Sequence, residues 1–244
     1  MYGNPHHGPF QSSGGNYYGV FLDSTDTSLV EVHKATDPTA SFSEADSADK
    51  PNLTNLVDAM NCHQEGDVLH IVTQETTTGR VGYHTFNMAT DQWAIINAAV
   101  ATPATVPPNP ACDISVRSDG DVIILYAGAA DAITMSSYDR VKYARREAAV
   151  WTVNVAVDNA GSVEWTDARI VRGSSDRMHF FFREHTNDDA YQRCLTSANA
   201  LEAFPASFDA AIHGTLKLPC MHGVSLVSGA ATKVRMPYAD STLQ

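Results

Sequence analysis

Aspartates open three well-separated apolar runs in this 244-residue chain, at Asp58 (Asp58–His63), Asp113 (Cys112–Arg117) and Asp167 (Asp167–Arg172), and His222 opens a fourth, His222–Val227. Each run leads through a tight turn into a second one. The second runs end in Gln74-Glu75, Tyr126 and Arg183-Glu184-His185. Carboxylates grouped with an arginine, a histidine and a tyrosine have the chemistry for glycoside hydrolysis, which needs one protonated carboxyl as acid and another as base or nucleophile. The same groups would bind a sugar or a cation. They also have an architectural use, because short polar side chains at strand starts satisfy backbone groups. The catalytic candidates are Asp58, Asp113, Asp167 and Glu184, and the ligand-binding candidates are Asp58, Asp113, Asp167, Arg183, His185 and His222. Arg183-Glu184-His185, which follows the apolar Phe180-Phe181-Phe182, is the densest titratable cluster.

The elements that carry these residues repeat. A turn followed by an apolar run recurs near Asn16, Asp67, Asp121, Asp176 and Thr232, at intervals of 51, 54, 55 and 56 residues. The stretch Gly66–Trp93 shows the unit most fully: a Gly-Asp turn, the run Val68–Val72, a Thr-rich loop, the alternating run Val81–Phe86, another turn and a tryptophan. Short β-rich runs bounded by turn residues predict antiparallel strands joined by hairpins. Tyr143–Val150 has some helical character, but its place in the repeat predicts a strand. Four-stranded units of about fifty residues predict an all-β chain, a β-propeller of four-stranded antiparallel blades. The expected organisation is an N-terminal arm over 1–15 and a propeller over 16–244. Its blade-like units are 16–56, 57–110, 111–165, 166–219 and an incomplete 220–244, which gives four to five blades, with a larger or oligomer-completed ring left open. The Pro-rich Ala101–Pro110 and the polar Thr36–Asn52 are expected to be inter-blade loops.

Composition narrows the function classes. The apolar share is 43%, charged residues make up 18%, and the net charge is −12 with basic residues scattered along the chain. A polyanion is repelled by such a surface, so nucleic acid is not an expected partner. No stretch of 18 apolar residues occurs, so membrane insertion is not expected. The first residues lack the basic and apolar regions of a signal peptide. Cys62, Cys112, Cys194 and Cys220 have no zinc-site spacing and are expected to be buried thiols, with a disulfide between inner strands left open. His6-His7 reads as part of a flexible or docking arm. Trp93, Trp151 and Trp165 read as core packing between blades in preference to sugar platforms. No cofactor or metal is expected, and no nucleotide, zinc-protease or α/β-hydrolase motif is present.

In GDVLHIVTQ…GRVGYHTFN…W and DGDVIILYAG…VKYARREAAVW the chain resembles the sialidase-like, or BNR-repeat, propeller family over roughly residues 16–240. The resemblance implies a propeller whose strand starts line a funnel. The family's Asp-box, Ser-x-Asp-x-Gly-x-Thr-Trp, is not present; Asn87–Trp93 stands where such a box would lie, and the Phe-Arg-Ile-Pro stretch of true sialidases is absent. These departures lead to the expectation of a non-catalytic binding or structural module with a glycan or a neighbouring virion protein as partner. The missing signal peptide, the acidic β-rich composition and the unfinished last unit point to a phage-type virion or extracellular setting, in an oligomer or larger assembly, with a cytoplasmic setting left open. The alternative is a glycoside hydrolase or lyase of the sialidase-like propeller type acting on an extracellular polysaccharide.

Overall fold

The computed structural model describes residues 6–23, 26, 28–46, 48–102, 111–128, 140–158, 165–184, 190–202, 225–227 and 233–235. Their regular structure is β apart from one 3-10 turn, Ser174–Asp176. Among them no helix is long and apolar enough to cross a membrane.

The strands form successive antiparallel meanders. The first sheet holds β1 (His6–Gln11), β2 (Tyr17–Leu22), β3 (Val30–Ala35) and β4 (Ser43–Glu44) in that order. The second holds β5 (Val57–Glu65), β6 (Val68–Glu75), β7 (Val81–Asn87) and β8 (Gln92–Ala101). The third holds β9 (Cys112–Val116), β10 (Val122–Gly128), β11 (Arg140–Glu147) and β12 (Val150–Asp158). The fourth shows β13 (Trp165–Arg172), β14 (Met178–Glu184) and β15 (Ala190–Leu195), and β16 (Ser225–Val227) pairs with β17 (Lys233–Arg235). Sheets whose strand order equals their chain order, repeated every fifty-odd residues, are the blades of a β-propeller. Tyr143 lies in β11, as its place in the repeat predicts, and the turn after that strand falls at Ala148-Ala149, both at positive φ.

The N-terminal segment is structured. Residues 6–11, read from the sequence as part of a flexible or docking arm, form β1 and pair with β2, His7 opposite Val20 and Phe10 opposite Tyr18. The Gly-Pro composition hid this strand. Gly8, at φ +129, meets the Tyr18 carbonyl oxygen so closely that a Cβ there would sit 2.8 Å from it. His7 Nε2 lies 2.8 Å from the Met60 carbonyl oxygen, and Phe10 packs on the core, so apolar contact and a half-buried polar pairing hold a segment that reads as a loop. The chain divides into two compact units, residues 1–114 and 115–244.

In the first unit the core lies between the first two sheets. Tyr18, Val20, Leu22, Val30 and Val32 meet Leu53, Val57, Met60, Leu69, Ile71, Phe86 and Met88, all buried. Alternation supplies the apolar face of β3, with Val30 and Val32 inward and Glu31 and His33 only partly covered. Trp93 packs edge-on to Phe86 at 5.2 Å, as expected for a core tryptophan. In the second unit β10 is buried along its whole length, and Phe180, Phe181 and Phe182 of β14 are buried on both faces of their strand.

Neighbouring sheets within each unit are held by the same two polar fastenings. In the first unit the Ser13 amide and hydroxyl, on the β1–β2 turn, donate to the two carboxylate oxygens of Asp67 on the β5–β6 turn, at 2.6 and 2.5 Å. In the second unit the Ser118 amide and hydroxyl donate to the two oxygens of Asp176 in the same way. The other fastening grips the turn between the third and fourth strands. Tyr18 donates from its hydroxyl toward the Met88 carbonyl and Asp91 Oδ1, both at 2.7 Å. Arg117 donates to the Thr196 carbonyl at 2.9 Å and to Asn199 Oδ1 at 2.5 Å. Asp91 and Asn199 are both left-handed, at φ 56 and 61, a conformation that Asp and Asn tolerate better than most residues. Asn87–Trp93, where an Asp-box would lie, is therefore a hairpin with a related fastening role.

Candidate functional site

Two of the predicted aspartates occupy the extra residue of a β-bulge. In the pairing of β5 with β6, Val57 faces Glu75 and Ala59 faces Gln74, which leaves Asp58 as the unpaired residue. In the pairing of β13 with β14, Thr166 faces Arg183 and Ala168 faces Phe182, which leaves Asp167 in the same position. A bulge adds one residue to a strand and re-aims it locally. Spacing carries a trace of this: Asp58 and Asp167 precede the turn residues Asp67 and Asp176 by nine positions, while Asp113 precedes Asp121 by eight.

Backbone register sets the neighbours of each bulge. Asp58 lies beside Gln74 and Glu75. Asp167 lies beside Arg183, with Glu184 one step further and opposite Trp165. In the second unit, two acidic residues and an arginine thus share one end of a strand pair. His185 and His222 lie outside the described residues, as does Cys220.

Asp113 belongs to a different environment. It is 7% exposed, and its Oδ1 accepts the Ile114 amide at 2.8 Å. Burial, reinforced by Cys112 and Asp113, pushes the Cys62 thiol well above its ordinary range. Among the described residues Cys62, Cys112 and Cys194 form no disulfide; Cys112 and Cys194 are buried, while Cys62 is only partly so. Tyr126 is likewise buried within β10. These groups are placed in the interior of their strands, away from an open surface.

The loop that leaves β6 is built around Glu75. Its Oε2 accepts from Asn55 Nδ2 at 2.8 Å and from the Thr78 hydroxyl at 2.6 Å, while Arg80 approaches Oε1 at 3.4 Å. Gln74 ties the same loop to the start of the third sheet, donating to the Gly79 carbonyl at 3.3 Å and accepting the Ala111 amide at 3.0 Å. Glu75 is 1% exposed, so its carboxylate is committed to shaping residues 76–80. That loop lies next to the Asp58 bulge.

Behind the loop is a residue that sequence reasoning missed. His84 in β7 is fully buried; its Nδ1 accepts the Asn97 amide at 3.0 Å, and its Nε2 lies 3.1 Å from Thr73 Oγ1. Only a neutral ring protonated on Nε2 fits both contacts. Burial, aided by Arg80, lowers its pKa to about 3. Gly82 leaves the needed space, since a Cβ there would lie 2.9 Å from Thr73 Oγ1. An isolated His in an alternating strand carries no sequence signal of this kind.

Among the described residues no group of three His, Cys, Asp or Glu is arranged to hold a metal. No family model matches the chain, and no curated protein matches it. Solved structures do. An arginine-to-alanine triple mutant of AofleA from Arthrobotrys oligospora aligns with 86% of this chain and 58% of its own, at 11% identity and a TM-score of 0.54. A PL25 polysaccharide lyase, an ulvan lyase bound to -[GlcA(1-4)Rha3S]-, aligns with 82% of this chain and 55% of its own, at 11% identity and a TM-score of 0.54. The NanB sialidase from Streptococcus pneumoniae aligns with 69% and 26%, at 11% identity and a TM-score of 0.45. The chain spans little more than half the length of the first two. At such identity the likeness is one of fold.

Proposed function

We propose that this chain is a carbohydrate-active β-propeller that acts on a polysaccharide as a glycoside hydrolase or lyase, with its chemistry at the start of β13. The observation that carries the reading is the bulge at Asp167, with Arg183 and Glu184 in register beside it. An aspartate at a bulge is relieved of part of its ladder role, and bulges recur beside active sites. Two acidic residues at one strand end are the proposed acid and base, and an arginine at the neighbouring register position suits a uronate or sulfate group on a sugar. Asp58, at the equivalent bulge of the first unit, is the second acidic position. The fold shared with a polysaccharide lyase supports the enzymatic reading over a virion binding role.

The test is turnover on a panel of neutral and acidic polysaccharides, read by release of reducing ends and by absorbance of unsaturated products. Asp167→Asn and Glu184→Gln are each expected to lower kcat by about 100-fold or more, the usual contribution of a positioned acid or base. Full activity in both variants dismisses these roles. Saturable binding with no turnover on any substrate class replaces catalysis by glycan recognition.

A further inference from the structure

The outermost strands of the sheets differ in how they are protected. A sheet edge presents unpaired backbone groups, and proteins blunt it with short strands, bulges or charges. In the first sheet β4 is two residues long. In the second, β8 has three register irregularities against β7, with Asn97 at positive φ. The third sheet is less protected: its outer strand is not short, and its one register irregularity lies past Val155. Its outer strand β12 runs nine residues, is regular from Val150 to Val155, and has no charged residue between Val150 and Val157. Among the described residues no strand pairs with its outer edge.

That edge is also apolar. Val150, Val153 and Val155 are 65%, 43% and 37% exposed, three of the five exposed large hydrophobics among the described residues. We infer that β12 pairs antiparallel with β12 of a second copy of this chain, extending two third sheets into one. A two-fold axis at Val153 places Val153 opposite its own counterpart and Trp151 opposite the copy's Val155. The aromatic and β-branched residues of one face then form a continuous cross-strand ladder. Charge agrees with this direction. Arg146 is paired with Trp151 at the start of β12, and Arg145 lies beside it, held by Asp121 at 2.7 Å and by Glu147. Antiparallel pairing brings the copy's Asp158, at the far end of the strand, to this arginine end. Two such edges meet with no charge inside the contact. A contact of one strand per copy lies at the small, transient end of interfaces.

Sedimentation velocity of the full chain from low to high micromolar concentration tests this. A reversible monomer–dimer shift is expected, and Val153→Lys, which sets two ammonium groups against each other at the axis, is expected to abolish it. Under mild oxidation Val153→Cys is expected to form a covalent dimer, while Thr152→Cys and the parent chain, with its own cysteines, do not. A monomer at every concentration overturns the inference. So does a dimer unaffected by Val153→Lys, or equal cross-linking from position 152. Loss of polysaccharide binding in Val153→Lys with unchanged sedimentation assigns the edge to a glycan instead. None of these outcomes depends on catalysis at Asp167.

Discussion

His84 is neutral because both of its nitrogens already have fixed partners. Protonation would put a hydrogen on Nδ1, where the Asn97 amide already points, and a charge beside Arg80 in a site without water access. With a folded pKa of about 3 against an ordinary 6.5, the unfolded chain takes up a proton that the folded chain refuses between those values. Stability is therefore fully present above about pH 6.5 and falls as the pH drops toward 3, by up to about 1.4 kcal/mol per pH unit from this group. His179, whose pKa is lowered chiefly by burial and then by Arg177, acts with the same sign. Denaturant titrations at pH 7, 5.5 and 4 are expected to show a steep loss in the parent chain. His84→Asn is expected to be less stable at pH 7, with a shallower acid slope. An unchanged slope would mean that the ring is accessible to protons in the folded state.

Hairpin turns act as fasteners as well as connections. Ser13–Asp67 and Ser118–Asp176 join first-to-second-strand turns of neighbouring sheets, and Tyr18 and Arg117 grip third-to-fourth-strand turns. Serine hydrogen bonds lower the pKa of both aspartates, each led by its side-chain hydroxyl. The carboxylates must be ionised to accept two donors, so this contribution is present above the ordinary carboxylate pKa and lost as the pH falls below it. Arg117 is 2% exposed, and its guanidinium is the largest fully buried side chain of the described residues. Removing it leaves the half-buried Thr196 carbonyl and Asn199 amide oxygen without their donor and empties the space of a buried side chain, a change that costs about 2–3 kcal/mol. Arg117→Ala is expected to lower the thermal midpoint sharply, whereas Ser118→Ala lowers it slightly, because the Asp176 clasp is exposed. Differential scanning calorimetry of the two variants checks the order. Equal small shifts would show that the buried arginine is replaced by water.

At the scale of the molecule, charge governs which polymers approach. With a net charge of −12, an acidic polysaccharide meets long-range repulsion that salt screens over about 10 Å at 0.1 M. If the substrate is acidic, as Arg183 beside Asp167 favours, KM is expected to fall as ionic strength rises from a low-salt buffer to physiological salt. A neutral substrate is expected to show little change. A KM that rises with salt would place a basic surface, and hence a different site, at the point of encounter.

Strand existence and type were legible in the chain itself. Alternating apolar runs, Gly-Asp turns and a period of fifty-odd residues specify antiparallel four-stranded sheets, because each of those signals acts over a few neighbouring residues. Asp58 and Asp167 were legible as strand-start acids for the same reason. Their bulges were decided by pairing, since a bulge is a mismatch between two strands and neither strand alone contains it. The burial of Asp113, the commitment of Glu75 to its loop and the burial of His84 and Arg117 depend on partners up to 82 positions away in sequence. The same holds for β1, whose Gly-Pro composition reads as a loop and whose strand character comes from Tyr18, Val20 and Met60. Local propensity chooses the elements, and packing between distant residues decides which of their polar side chains remain available for chemistry.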